Sequence, residues 1–96
     1  VLLGQVRELS FDQAERRIAR TLLNLAAQYG RPCPEGVRIS IRFTHQDVAG
    51  IINTSRITTN KVMKRMEEEG ILLKREGRYI LRALPALERL ARGEGQ

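Results

Sequence analysis

Residues 44–72, THQDVAGIINTSRITTNKVMKRMEEEGIL, hold two short apolar runs separated by Asn53-Thr54-Ser55. In the first run Val48, Ala49, Ile51 and Ile52 follow Thr44, and Asp47 stands three residues after that threonine. This is the spacing of a helix N-cap with its reciprocal acidic partner. In the second run Ser55 has N-cap chemistry and Gly70 has the chemistry of a stop, so a helix is predicted from 55 to about 69. With some three residues between them, the two helices form a helix-turn-helix unit, provided the turn tolerates a left-handed backbone and the helices meet through a small side chain. Asn53 meets the first condition better than any residue but glycine, and Ala49 meets the second.

The second helix has two unlike faces. At 100° per residue and with Arg56 at zero, Asn60 falls at about 40°, Lys64 at about 80°, Ile57 at about 100°, Lys61 at about 140° and Arg65 at about 180°. Val62, Met66, Thr59 and Met63 lie between about 240° and 340°, a packing side. Glu67, Glu68 and Glu69 come only at the C-terminal end, so the N-terminal half is basic and topped by the positive end of the helix dipole. A basic helix face is ordinarily just a solvated one. This polarity nevertheless suits a helix whose N-terminus enters a major groove, where base edges and phosphates both meet donors. Arg56 can donate twice to guanine, Asn60 can pair with adenine N6 and N7, Ile57 can touch a thymine methyl, and Lys61 can reach bases. Ser55, Thr58, Lys64 and Arg65 are then candidates for positioning on phosphates.

Outward from this unit, Phe11, Ala14, Ile18, Leu22, Leu25 and Tyr29 recur at helical spacing from Ser10, predicting a long amphipathic helix over residues 10–29. Ser10 with Gln13 fits a capping box, and Gly30 with Pro32 behind it fits a left-handed stop. A turn over Arg31 to Gly36 is expected next. Val37, Ile39, Ile41 and Phe43 then alternate with Arg38, Ser40 and Arg42, the period of a half-buried strand that needs a partner. Residues 71–82 read as a hairpin with a charged tip, and Leu84, Leu87 and Leu90 with Pro85 read as a last short helix. Residues 93–96 should fray. The class predicted is mainly α with a small antiparallel β-sheet, a winged helix-turn-helix. Thr44, His45 and Gln46, at a helix start, can hold a phosphate, and Lys74, Arg75 and Arg78 of the hairpin would lie beside a duplex.

The totals agree with a polyanion partner. Ninety-six residues, 42% hydrophobic, suit one compact domain. The net charge is +6, and twelve of the seventeen Lys and Arg fall in residues 37–96. Such a field accumulates nucleic acid or an acidic surface. No apolar run is long enough to span a bilayer and no signal peptide is visible, so a soluble, cytoplasmic protein without a membrane partner is expected. The single cysteine, Cys33, excludes an internal disulfide, and the single histidine, His45, offers no metal cluster. Paired carboxylates and a glycine-rich phosphate loop are also missing, so no enzyme is expected, and neither a metal site nor a cofactor of this domain.

The order of these segments resembles the C-terminal DNA-binding domain of the cyclic-AMP receptor and fumarate-nitrate regulator family of bacterial transcription factors. The most specific part is TxQDVAxxI followed by TSRxTxxKxMKxMEEEGIL, in which Ser55-Arg56 and Thr58 match the family's Ser-Arg-Glu-Thr motif. The resemblance implies that Arg56 reads a guanine and that Lys61 faces the groove. It also implies a homodimer in a longer protein, an effector-binding domain before this one, and residues 1–9 as the end of a dimerisation helix or a hinge ahead of a DNA-binding domain over 10–92. RNA polymerase is a further partner consistent with such a regulator. Two positions depart from the pattern. Ile57 stands where many members have Glu, so their target sequence does not carry over, and Thr59 replaces an aliphatic residue that packs between the two helices. A reading from another class is a winged-helix protein-protein adaptor, which would have no need of a positive groove face.

Overall fold

The computed structural model describes residues 9–93. The expectations for residues 1–8 and 94–96 lie outside the described residues. Four helices and four short strands follow in the order α1 (Phe11–Tyr29), β1 (Gly30–Cys33), β2 (Gly36–Ile39), α2 (His45–Ile52), α3 (Arg56–Glu68), β3 (Leu72–Arg75), β4 (Arg78–Leu81) and α4 (Leu84–Ala91). This is the winged helix-turn-helix that the spacing predicted.

Each predicted start signal is used as such. Ser10 and Gln13 form a reciprocal capping box at α1, Thr44 and Asp47 form another at α2, and the Ser55 hydroxyl accepts the Thr58 N–H at α3. Asn53 sits in the left-handed region at φ 59° and ψ 51°, which ends α2 and redirects the chain into α3. The Ala49 carbonyl accepts both the Asn53 and Thr54 N–H groups there, so the sharp turn leaves few backbone groups unpaired.

Two expectations are corrected between Gly30 and Phe43. Gly30 is not a left-handed stop: its backbone is extended at φ −77° and ψ 145°, and it leads straight into β1. Glycine is required there for room, because a Cβ would collide with the Ala26 carbonyl and stand 2.7 Å from Val37 Cγ1. Residues 31–36 are accordingly not all turn. Gly30–Cys33 pairs antiparallel with Gly36–Ile39, leaving only Pro34 and Glu35 at the reversal. Pro32 is tolerated because β1 is an edge strand in the order β1-β2-β4-β3, where a missing N–H costs no ladder bond. The predicted strand also ends early, at Ile39, where Ser40 turns its N–H to the Tyr29 carbonyl. The alternation beyond it still operates as packing, for Phe43 is buried while Arg42 is exposed.

The wing is β3 and β4 joined at Glu76-Gly77, both left-handed at φ 54° and 79°, the geometry of a two-residue hairpin that matches strand twist. The core lies between α1, α3, α4 and the inner face of the sheet: Ile18, Leu22, Ile39, Met63, Met66, Leu72, Tyr79, Leu81 and Leu87 are all essentially sealed from solvent. Arg20 ties α1 to the end of α4 by donating from Nε to the Ala91 carbonyl at 3.0 Å. This platform fixes α3 by its back and leaves its front to solvent.

Candidate nucleic-acid interface

Helix α3 divides as its spacing dictates. Thr59, Val62, Met63 and Met66 are buried, and Arg56, Ile57, Lys61, Lys64 and Arg65 are exposed. The departure at Thr59 is accommodated without an unpaired hydroxyl, since Oγ1 donates to the Ser55 carbonyl at 3.0 Å. Ile57 is 67% exposed. A large aliphatic side chain standing in water between Arg56 and Lys61 contributes nothing to the core, and the front face is the one place where it can contact a partner.

The remaining residues singled out from the sequence divide by what holds them. Asn60 is half-buried on the flank of α3, and its Oδ1 lies 2.7 Å from His45 Nδ1 at the start of α2. His45 stacks on Tyr79 with centroids 6.3 Å apart, and Tyr79 stacks on Phe43 at 5.0 Å. Gln46 and Thr44 are exposed beside it, and the Thr44 hydroxyl is committed to the Asp47 N–H. Ser55 donates from its hydroxyl to Thr58 Oγ1 at 3.1 Å, so the two polar residues at the helix start are joined to each other.

Arg65 lies on the opposite flank. It pairs with Glu69 at 3.0 Å, its guanidinium stands 5.4 Å from the centre of the Phe11 ring, and the bond to Glu69 holds its pKa above the ordinary arginine value. Phe11, Lys61, Lys64, Arg65, Glu68 and Glu69 line a shallow groove of about 450 Å³ there.

The wing cations have intramolecular partners too. Lys74 places its ammonium 5.4 Å from the Tyr79 ring centre, Arg75 pairs with Glu35 at 2.9 Å, and Arg78 donates from Nε to the Ser40 carbonyl at 2.8 Å. The Arg75 pair is on the surface, so it adds little to stability. It does orient the guanidinium between the wing and the first hairpin. Burial pushes the Tyr79 hydroxyl above its ordinary pKa, with Glu67 acting in the same direction, so the ring under Lys74 and His45 stays neutral.

Two residues that sequence reasoning did not single out shape this surface, Arg42 on it and the buried Tyr79 beneath it. Arg42 lays its guanidinium against the wing tip, where a Cβ on Gly77 would come 3.4 Å from Arg42 Nε. The available signal was its place on the exposed step of the alternation, two residues before the Thr44 cap. Tyr79 joins the wing to α2 through His45, a contact between residues 34 apart in sequence that no local pattern reports. Among the described residues no helix is long and apolar enough to cross a membrane, and no group of three His, Cys, Asp or Glu comes together to hold a metal.

Residues 16–90 match the family model described as a Crp-like helix-turn-helix domain. The chain is 36% identical over 69 residues to the cAMP-activated global transcriptional regulator CRP of Salmonella typhimurium, covering 71% of this chain and 32% of that protein. The catabolite activator protein of Thermus thermophilus superposes with a TM-score of 0.71 at 30% identity, over 88% of this chain and 36% of that one. The CO-dependent transcription factor CooA of Carboxydothermus hydrogenoformans, at 23% identity, shares the fold with a TM-score of 0.78 over 84% of this chain and 38% of its own. The chain thus spans about a third of the length of the curated relatives it matches.

Proposed function

Since this chain belongs to the Crp-like helix-turn-helix domain family, we propose that it binds double-stranded DNA sequence-specifically as the output domain of a transcription regulator, with α3 in the major groove. The observation that carries this reading is the front of α3: Arg56, Ile57, Lys61 and Lys64 stand exposed, and no acid precedes Glu67 in that helix. Arg56, Ile57, Asn60 and Lys61 are the base-reading residues in this proposal. Thr44, His45, Gln46, Ser55, Thr58 and Lys64 take phosphates on either side of the groove, and Lys74, Arg75 and Arg78 of the wing, joined by Arg42, take them along its flank. Arg65 is the weakest member of the set, because it must leave Glu69 or bring it along.

In the same reading the complete regulator is a homodimer that reads two half-sites, with RNA polymerase as a further partner. Enrichment of bound duplexes from a random pool tests the proposal and yields a motif. On the motif so obtained, Arg56→Ala should cost about 1–3 kcal/mol and relax one base position, while binding to random duplex changes little. Equal loss on both duplexes would remove Arg56 from the readers. An adaptor that docks proteins by the same face would attract duplex only through its charge and enrich no motif from the random pool, and that outcome separates the two readings.

A further inference from the structure

We infer that the outer face of the four-stranded sheet is a second duplex-binding surface, on which Arg31 and Arg38 hold phosphates of the DNA that flanks the site read by α3. The inference rests on the DNA-binding reading above and goes beyond it, because neither arginine lies on the helix-turn-helix or on the wing.

The register of the sheet places these residues. Arg31 of β1 stands directly opposite Arg38 of β2, Arg38 opposite Ile80 of β4, and Ile80 opposite Leu73 of β3, so the four share one face. Arg75 and Arg78, opposite each other in the wing, fall on that same face. It is the face turned from the core. Ile39, Leu72, Tyr79 and Leu81 alternate to the other side and belong to the core cluster, whereas Ile80 is 3% exposed and lies outside that cluster. Arginine stems laid over the strands can cover such a residue while their guanidinium groups stay in water. Arg31 and Arg38 are exposed, and among the described residues neither side chain has an ion-pair partner.

Like charges directly opposite on paired strands cost stability. This face holds two such pairs, Arg31 with Arg38 and Arg75 with Arg78. Glu35 answers one of the four cations by pairing with Arg75 at 2.9 Å, and Glu76 stands at the turn of the wing. An anionic partner relieves the remaining repulsion. That all four cations are arginine specifies its chemistry, because a planar fork of donors meets a phosphate at two oxygens. Continuity selects the duplex as that partner. Arg75 and Arg78 already take phosphates in the reading above, and Arg38 and Arg31 extend the same face two strands beyond the wing, about 10 Å at the usual strand spacing, or about three base pairs.

The test uses the 96-residue chain and two duplexes carrying the motif enriched from a random pool. One ends at the motif, and the other extends on each side by about ten base pairs, roughly a helical turn. Salt titrations compare wild type with the double variant Arg31→Gln, Arg38→Gln on each duplex, so that effects of the DNA ends cancel between the proteins. On the extended duplex the variant should lose about 1.8 from the slope, two phosphates at about 0.9 each. On the short duplex the two proteins should agree, and both should enrich the same motif. Arg31→Lys with Arg38→Lys, which keeps the charges, should retain most of the slope on the extended duplex. Melting curves verify folding, and removal of like charges should leave the midpoint of the glutamine variant unchanged or raised. A midpoint that falls assigns the two arginines to the fold and overturns the inference. So do equal slopes on the extended duplex, the result if an acidic protein covers this face, and an equal decrease on both duplexes; each leaves the DNA-binding reading intact. A wild-type pool with no enriched motif overturns both.

Discussion

At the residue scale, the informative side chains are the polar ones placed where water is scarce. Glu15 is 7% exposed on the inner side of α1, and burial raises its pKa above the ordinary 4.5, with Arg65 pulling the other way. The folded chain therefore holds the Glu15 proton more tightly than the unfolded chain, so ionisation at neutral pH works against the fold. Glu15→Gln should raise the melting temperature at pH 7, and the gain should shrink as pH falls through the raised pKa and vanish below 4.5. Melting curves of both proteins across that range measure it. Thr54 is the complementary case. Its hydroxyl is buried in the turn between α2 and α3 with no hydrogen-bond partner, while its N–H is committed to Ala49. Thr54→Val keeps the shape and removes the desolvated hydroxyl, so it should stabilise by up to about 1 kcal/mol in urea unfolding.

At the scale of the element, caps and turns were legible because their chemistry is local. Three helix starts were marked by Ser10, Thr44 and Ser55, and the left-handed end of α2 was marked by Asn53. Gly30 was not legible in the same way. Glycine followed by proline two residues on has the signature of a helix stop, yet the reason for glycine here is the approach of Ala26 and of Val37 on the neighbouring strand, which only the pairing of β1 with β2 brings about. The two causes make different predictions. Gly30→Ala adopts the backbone without strain but meets a carbonyl oxygen, and should destabilise by about 3 kcal/mol, the upper end of overpacking costs. Gly50→Ala, inside α2 with open space around it, should instead stabilise by about 1 kcal/mol. Denaturant midpoints of the two variants check both signs.

At the scale of the whole molecule, the chain carries a net charge of +6, α3 keeps its acids at its own C-terminal end, and the wing adds Lys74, Arg75 and Arg78. Duplex affinity should fall linearly on a log-log plot against salt, with a slope near −0.9 for each phosphate engaged. Arg75→Ala should flatten that slope by less than the roughly 0.9 of a full phosphate contact, because Glu35 already neutralises part of its charge. Titrations between 50 and 200 mM salt, the range over which such contacts are commonly resolved, give the slope for both proteins. Joined as a dimer that spans two half-sites, the domain should gain about 10²–10⁴ in affinity over the single chain without any new contact.

The sequence by itself determined the four helices and the two-faced character of α3, since caps depend on residues three apart and amphipathicity on residues three or four apart, but it did not determine β1, which read as turn. It also carried the motif that marks the family, because Ser55-Arg56 and Thr58 lie on one turn. The tertiary structure alone decided which polar groups are spoken for. His45 reaches Asn60, Arg78 reaches Ser40 and Arg75 reaches Glu35 across 15, 38 and 40 residues, and Arg42 reaches Gly77 at the wing tip. Side chains of this length find partners wherever the packed elements bring them, and the core, not the local pattern, sets where that is.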